Sequence, residues 1–409
     1  MMTAFTRTSW IKWLQIRGLP AALIAVGLLV GFGCQRNSVG VAPVGPASVA
    51  ATDGERADGR PRWKSIRSLV VGDVWAASPD GRYVATIDEM RLRVTSALAG
   101  PVLHHVALPI AANDLVVTRT NVVCYKRLDP ASTQVAILDI KSGKWTRIET
   151  NASIWTIAAD NSGDGIWMSC GDHTVRHYPK LDPAAAGMTK IVLTGFGGTL
   201  ASDPRGCIVT EALPAGITAI SNEAVLRWHI EEENPKRLSR LMVTRSGATY
   251  IDSTERSKPE NHTITSISAV TGAPIWEIQH SGKRIHAAAD QRSGMLAVSV
   301  GTPTARVTSK LYAYNRDGSS IMDGRGSGYF TPMLVGVSEN GHRITVFDGQ
   351  RGLTTLSDSG STLARRMQLP SINPELLRGQ FARLSSDDHY LFIQSTSNNV
   401  HILEALYEE

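Results

Sequence analysis

A turn signal recurs along this chain every 40 to 47 residues, and nothing else in the sequence limits the fold as much. With residues 81, 121, 163, 206, 247, 294, 341 and 388 as markers, the intervals are 40, 42, 43, 41, 47, 47 and 47. The markers carry tight-turn chemistry, as in Ser78-Pro79-Asp80-Gly81, Asp203-Pro204-Arg205-Gly206 and Glu339-Asn340-Gly341. Proline presets φ, Asp and Asn bond back to their own backbone, and Gly supplies positive φ. Each marker lies between two strand-like runs, such as Leu334 to Val337 and Ile344 to Phe347 around Gly341. A unit this small cannot bury both faces of a sheet alone, so copies must stack side by side.

The stretch Val74 to Ser96 shows what one unit holds. Beyond the turn at Gly81, Tyr83 to Ile87 is β-branched and aromatic, and Leu92 and Val94 alternate with Arg91, Arg93 and Thr95, the period of a half-buried strand. A second turn class follows in several repeats, at Lys141-Ser142-Gly143-Lys144-Trp145, at Thr271-Gly272-Ala273-Pro274-Ile275-Trp276 and at Arg316-Asp317-Gly318, and it joins a third strand to a fourth. Four antiparallel strands at this spacing predict an all-β chain folded as a single β-propeller. The last repeat supplies Phe381 to Leu384, His389 to Gln394 and Val400 to Glu404, then stops without a fourth strand. Trp63 to Val70 can fill that place, pairing the chain's two ends in one sheet and leaving no open edge. Eight markers with this closure predict eight blades, with seven as the alternative count.

The repeats begin late. Residues 1–33 carry Arg7, Lys12 and Arg17 ahead of an apolar run from Leu19 to Gly33. That run is shorter than the roughly 20 residues a spanning helix needs, and the layout is that of a signal peptide. The ending Gly31-Phe32-Gly33-Cys34 resembles a bacterial lipoprotein signal, in which a cysteine becomes the lipidated first residue of the mature chain. The resemblance implies that Cys34 is lipidated and that the protein is exported, membrane-anchored, and faces the periplasm or the cell exterior. Ordinary cleavage leaving a free Cys34 thiol is the other reading. The rest of residues 34–62 is rich in Gly, Ala, Pro, Ser and Val without a period, a flexible tether that as a coil spans on the order of 30 Å. Residues 63–409 then form the propeller. The net charge of +5 belongs mostly to the leader, since the remainder holds 39 basic against 37 acidic residues. Without a concentrated basic patch, nucleic acid is excluded as a partner.

Cys124, Cys170 and Cys207 fall in second-strand positions of three successive repeats, as small buried hydrophobes or, alternatively, in a disulfide between neighbouring repeats. No Cys-x-x-Cys occurs, so zinc, iron–sulfur and c-type haem lose their usual ligands. Ser78-Pro79-Asp80-Gly81 resembles the turn of WD-type and related bacterial propeller repeats. Val270-Thr271-Gly272-Ala273-Pro274-Ile275-Trp276 is similar to the docking motif of quinoprotein-type (PQQ-like) propellers, which implies that Trp276 packs between neighbouring blades. Quinoprotein dehydrogenases use an adjacent cysteine pair that this chain lacks, so the resemblance implies the fold without the redox site, and no cofactor is expected. The overall layout also resembles the propeller lipoprotein of the outer-membrane barrel-assembly machinery, whose role is scaffolding.

Candidate sites are few. Asp160-Asn161-Ser162-Gly163-Asp164-Gly165 matches the opening of a calcium loop, with Asp160, Ser162 and Asp164 as the weak metal candidates. Its twelfth position is Gly171 rather than an acid, which favours a plain turn. His173 and His177, if both lie on one strand, stand about 13 Å apart and cannot share a metal. His104 and His105 point to opposite faces of theirs. No nucleophile elbow or P-loop occurs, so no catalytic residue is assigned. What remains is the side on which second-to-third-strand loops and blade connections emerge. There Arg284, Arg325 and Arg351 accompany Tyr329 and Phe330, with Glu231 to Glu233 as an acidic corner. Arg and aromatic side chains are those that most often anchor interfaces. The expected function is therefore a monomeric scaffold that binds an envelope protein or peptide and meets the membrane through its lipid alone. The alternative is a propeller enzyme of the lactonase, lyase or quinoprotein kind, acting at the channel mouth.

Overall fold

The computed structural model describes residues 62–406 apart from segments between strands, among them 182–187, 302–308, 327–332 and 368–381, and some side chains within strands. The described residues form 32 strands in eight four-stranded sheets. Blade 1 runs from β2 (Val74–Ala77) through β5 (Val102–Ala107), and blade 2 from β6 (Asp114–Val117) through β9 (Trp145–Glu149). Blade 3 spans β10 (Ile154–Ala159) to β13 (Thr189–Val192), blade 4 β14 (Phe196–Asp203) to β17 (Leu226–Glu231), and blade 5 β18 (Lys236–Val243) to β21 (Pro274–Ser281). Blade 6 spans β22 (Arg284–Ala289) to β25 (Ser320–Gly326) and blade 7 β26 (Met333–Val337) to β29 (Thr362–Met367). From β2 to β30 (Ala382–Leu384), the first strand of each blade adjoins the first strand of the next.

Blade 8 takes β30, β31 (Tyr390–Gln394) and β32 (Asn399–Leu406) from the end of the chain and β1 (Arg62–Val70) from its start. The β1–β32 ladder runs from Arg62↔Leu406 to Val70↔Asn399, so the expected closure is present and starts one residue earlier than the sequence suggested. Across the seam to blade 1, Leu69, Val71, Phe392, Val400 and Ile402 pack with Trp75 and Val84, and Trp75 Nε1 donates to Gln394 Oε1 at 2.6 Å.

The turn markers behave as their chemistry requires, with Gly81, Gly163, Gly206, Gly247 and Gly294 all at positive φ. The markers at 341 and 388 lie outside the described residues. One expectation is corrected: His173 precedes the strand Thr174–Tyr178 and sits in its turn at φ 64°, so the strand spacing to His177 does not apply.

The core is a set of layers between blades. In β7 (Asn121–Tyr125), Val122 and Cys124 pack with blade 1, while Val123 and Tyr125 pack with blade 3. A strand buried on both faces reads as a continuous apolar run, and each fully buried aliphatic side chain contributes about 1.5–3 kcal/mol. Cys124, Cys170 and Cys207 occupy such second strands as free buried thiols. Burial pushes Cys124 up to about 12 and Cys170 up to about 11, which keeps both protonated and unreactive.

A repeated polar latch joins neighbouring blades, carried by the fourth strand in blades 1, 4 and 5 and by the third strand, Thr174–Tyr178, in blade 3. In four joints a ring nitrogen meets a carbonyl just inside the next blade's third-to-fourth-strand turn: His104 Nε2 at Ile140 O (2.6 Å), His177 Nδ1 at Asn222 O (3.1 Å), Trp228 Nε1 at Ala269 O (3.0 Å) and Trp276 Nε1 at Arg316 O (2.8 Å). Trp276 thus packs between blades as expected. A Cβ on Gly272 would lie 2.9 Å from the Trp228 ring and one on Gly318 2.8 Å from Trp276, so the close approach and the positive φ both call for glycine. The register explains the aim of the rings. In β21, Trp276 opposes Ser266 and Pro274 opposes Ile267, which leaves Ile275 in a bulge, exposed at 56%, while Trp276 turns to blade 6. The same one-residue bulge precedes His104, Trp228 and, in β1, Arg67.

Candidate functional site

Each blade has two ends. The first-to-second and third-to-fourth turns share one, and the second-to-third loops and blade connections share the other. At this loop end, blades 4 and 5 bury a carboxylate against a histidine. In blade 4, Glu211 closes β15 (Gly206–Ala212), its side chain 1% exposed. Its Oε2 accepts from Gly195 N at 2.7 Å and Thr194 Oγ1 at 3.2 Å, and its Oε1 accepts from Thr218 Oγ1. With the Thr218 hydroxyl committed to Glu211, His229 Nδ1 donates to Thr218 Oγ1 at 2.7 Å. The chain entering blade 4 is thereby tied to β15, to β16 (Gly216–Ser221) and to β17. A buried carboxylate is stable only with such donors around it.

In blade 5, Asp252 of β19 (Ala248–Glu255) accepts from His262 Nδ1 at 2.9 Å, His262 lying on β20 (Asn261–Ser268). Asp252 also opposes Arg240 across the β18–β19 ladder, and Arg240 Nη1 reaches Ala287 O of blade 6 at 2.6 Å. His262 opposes His280 across the β20–β21 ladder. His280 in turn meets blade 6 at β24 (Ser309–Tyr314): its ring lies 4.5 Å from that of Tyr312, and its Nε2 is 3.2 Å from Tyr314 Oη. Burial, reinforced by the charge of His262, holds His280 below the ordinary histidine range against the pull of Asp252 and Asp323. Burial, with Tyr312 and Asp323 beside it, pushes Tyr314 up to about 12. A protonated phenol can donate to this nitrogen when the ring carries its proton on Nδ1.

The sequence-predicted residues divide into those the structure describes and those it does not. Arg284 opens β22 and Arg325 lies in β25 one residue from its end, so the two backbones share the loop end of blade 6. Tyr329, Phe330, Arg351 and Cys34 lie outside the described residues. Asp160 and Ser162 meet each other, since Asp160 Oδ1 accepts from Ser162 Oγ at 2.6 Å and from the amides of Gly163 and Gly165, while Asp164 gives its own amide to Ser162 Oγ. Asp160 Oδ2 faces His177 Nε2 at 3.3 Å. Burial alone would raise this carboxyl, yet the hydrogen bonds from His177, Ser162 and the two amides outweigh it and hold Asp160 below the usual carboxylate range. Among the described residues, no group of three or more His, Cys, Asp or Glu is placed to hold a metal ion. His104 serves the first latch, and His105 Nε2 accepts from Arg91 Nε at 3.1 Å.

The chain is similar to the solved Dos1 propeller, with 10% identity, a TM-score of 0.57, and coverage of 85% of this chain and 96% of that one. The fold is a β-propeller. The propeller also resembles BamB from Moraxella catarrhalis (14% identity, TM-score 0.50, 84% of this chain and all 100% of that one). A chain of the mitotic checkpoint complex matches at 12% identity and TM-score 0.50, covering 93% of this chain and 100% of that one. At identities of 10–14% the likeness is one of fold. No protein-family model matches the sequence, and no curated protein matches it.

Proposed function

We propose that this propeller is an exported, membrane-tethered scaffold that binds a protein or peptide of the cell envelope at the loop end of its later blades. The observation that carries the proposal is the chain order there. Arg284 begins β22, Arg325 nearly ends β25, Tyr329 and Phe330 belong to the connection from β25 to β26, and Arg351 to the connection from β27 (Arg343–Asp348) to β28 (Gly352–Ser357). In a four-stranded antiparallel blade all of these positions belong to one end, where partners usually dock. The Glu211 and Asp252 networks beside it support a rigid platform rather than a reaction centre, because Glu211 is held by three protein donors and Asp252 is engaged by His262. The anchoring part of the proposal, residues 1–33 as signal peptide and Cys34 as lipidated residue, rests on the sequence resemblance.

The test is capture of envelope proteins by the purified propeller, wild type against Arg325→Ala combined with Tyr329→Ala. Truncating such anchors typically costs about 2 kcal/mol or more of binding. Loss of capture at unchanged melting temperature supports the scaffold, and recovery of the same partners by the double variant removes this end from consideration. Cys34→Ser separately tests the tether, since it should release the protein from the membrane fraction.

A further inference from the structure

We propose that the joint between blades 5 and 6 is acid-sensitive, with protonation at His280 loosening the outer strand of blade 5 from Tyr312 and Tyr314 of blade 6. The joint concentrates titratable groups where two blades meet. His280 is on β21, with His262 opposite it on β20, Asp252 behind His262 on β19 and Arg240 opposite Asp252 on β18. From blade 6, Tyr312 and Tyr314 face it from β24 and Asp323 acts on it from β25, while exposed Lys310 shares the face of β24 that carries the two tyrosines. Beneath the cluster the joint is apolar, with Tyr250, Ile264, Leu296 and Val298 in one layer capped by the Trp276 latch. A charge placed at His280 is therefore introduced at the polar margin of a buried layer, where an unpaired charge is costly.

Two physical points converge on His280 rather than on its neighbours. Its Nε2 lies 3.2 Å from the Tyr314 hydroxyl, and a protonated ring loses the acceptor that the Nδ1–H tautomer offers to that hydroxyl. Asp252, the carboxylate that pulls most on His280, is already bonded to His262 Nδ1. Since the folded protein holds His280 below the ordinary value of 6.5, the joint is at full strength above that value and weakens as the pH falls through and below it.

The test is amide exchange on the full chain, corrected for intrinsic rates, at about pH 7.5 and about pH 5, either side of histidine titration. The proposal expects several-fold faster exchange in Pro274–Ser281 and Ser309–Tyr314 at the lower pH, with Tyr83–Asp88 of blade 1 unchanged. His280→Gln should keep the neutral-pH protection and lose the acid response. Tyr314→Phe, which removes the bond that the neutral ring accepts, should move the onset to higher pH. Exchange that is indifferent to pH at the joint, an acid response shared equally by every blade, or an undiminished response in His280→Gln would overturn it.

Discussion

The joint between blades 5 and 6 and the joint that closes the ring meet the same requirement with opposite parts. In the first, Trp276 of blade 5 reaches forward and donates to Arg316 O in the turn of blade 6. At the closure, the position after the equivalent bulge is Arg67, whose Nη1 donates to Ser96 O at 3.3 Å and Gly100 O at 3.1 Å in the turn of blade 1. The aromatic contribution at the closure comes from the other side, as Trp75 of blade 1 reaches back to Gln394 of blade 8. At these two joints the turn carbonyl is met by an N–H donor one residue past a bulge, and the bulk of the side chain that brings it is a separate matter. Tryptophan joins blades with area and a hydrogen bond together, whereas the closing joint relies on the β1–β32 ladder and uses its latch only for polar satisfaction.

Removing β1 should have the largest effect. Deletion of residues 62–70 exposes β32 as an open edge and strips Leu69 from the seam layer, so the cooperative melt should be lost or fall by roughly 10 °C or more, several kcal/mol for a domain of this size. Deletion of residues 35–60, which removes no part of that ladder, is the control and should leave calorimetry unchanged. Next comes Trp276→Ala, which should cost about 3 kcal/mol by chemical denaturation, because a large ring is removed from a layer that cannot fully collapse. Arg67→Met keeps the alkyl stem and removes only the donors, and should cost about 1 kcal/mol. If it costs as much as Trp276→Ala, the contrast between the joints is wrong.

A comparably small effect, and one that depends on pH, is expected at the joint of blades 3 and 4, where the latch ring His177 also faces Asp160. The folded state holds this carboxyl below its ordinary 3.8, so its contribution is present above that value and is lost as the pH falls through the folded one. Asp160→Asn should therefore destabilise by about 1 kcal/mol near neutrality, and the difference from wild type should vanish in strong acid.

Much of the ring was legible because its turns need residues with special backbone freedom. Gly81, Gly163 and Gly294 mark the period, and the missing fourth strand of the last repeat pointed to the first strand-like run. The latch was legible only at Trp276, where an aromatic follows Thr271-Gly272. His104, His177 and Arg67 carry the same contact with no shared residue type, since the contact depends on an N–H and, for His104 and Arg67, on a bulge that adjacent residues do not announce. The loop-end pairs left a faint trace. Glu211 and Asp252 are acids flanked by apolar or hydroxyl-bearing residues in second strands, a pattern that calls for a buried partner without saying which histidine supplies it.

The central claim is a single ring of eight blades closed by its two ends, and covalent capture of that seam tests it most directly. Trp63 opposes Ala405 and Lys64 opposes Glu404 in the β1–β32 ladder. Adjacent antiparallel pairs alternate between wide and close spacing, about 5.5 and 4.5 Å between Cα atoms, so one of the two always offers the geometry a disulfide needs. Cysteine pairs at 63/405 and at 64/404, oxidised under native conditions and read as a mobility change on a non-reducing gel, should give an intramolecular cross-link for at least one pair. Failure of both pairs to cross-link in protein that melts like wild type would contradict the closed ring.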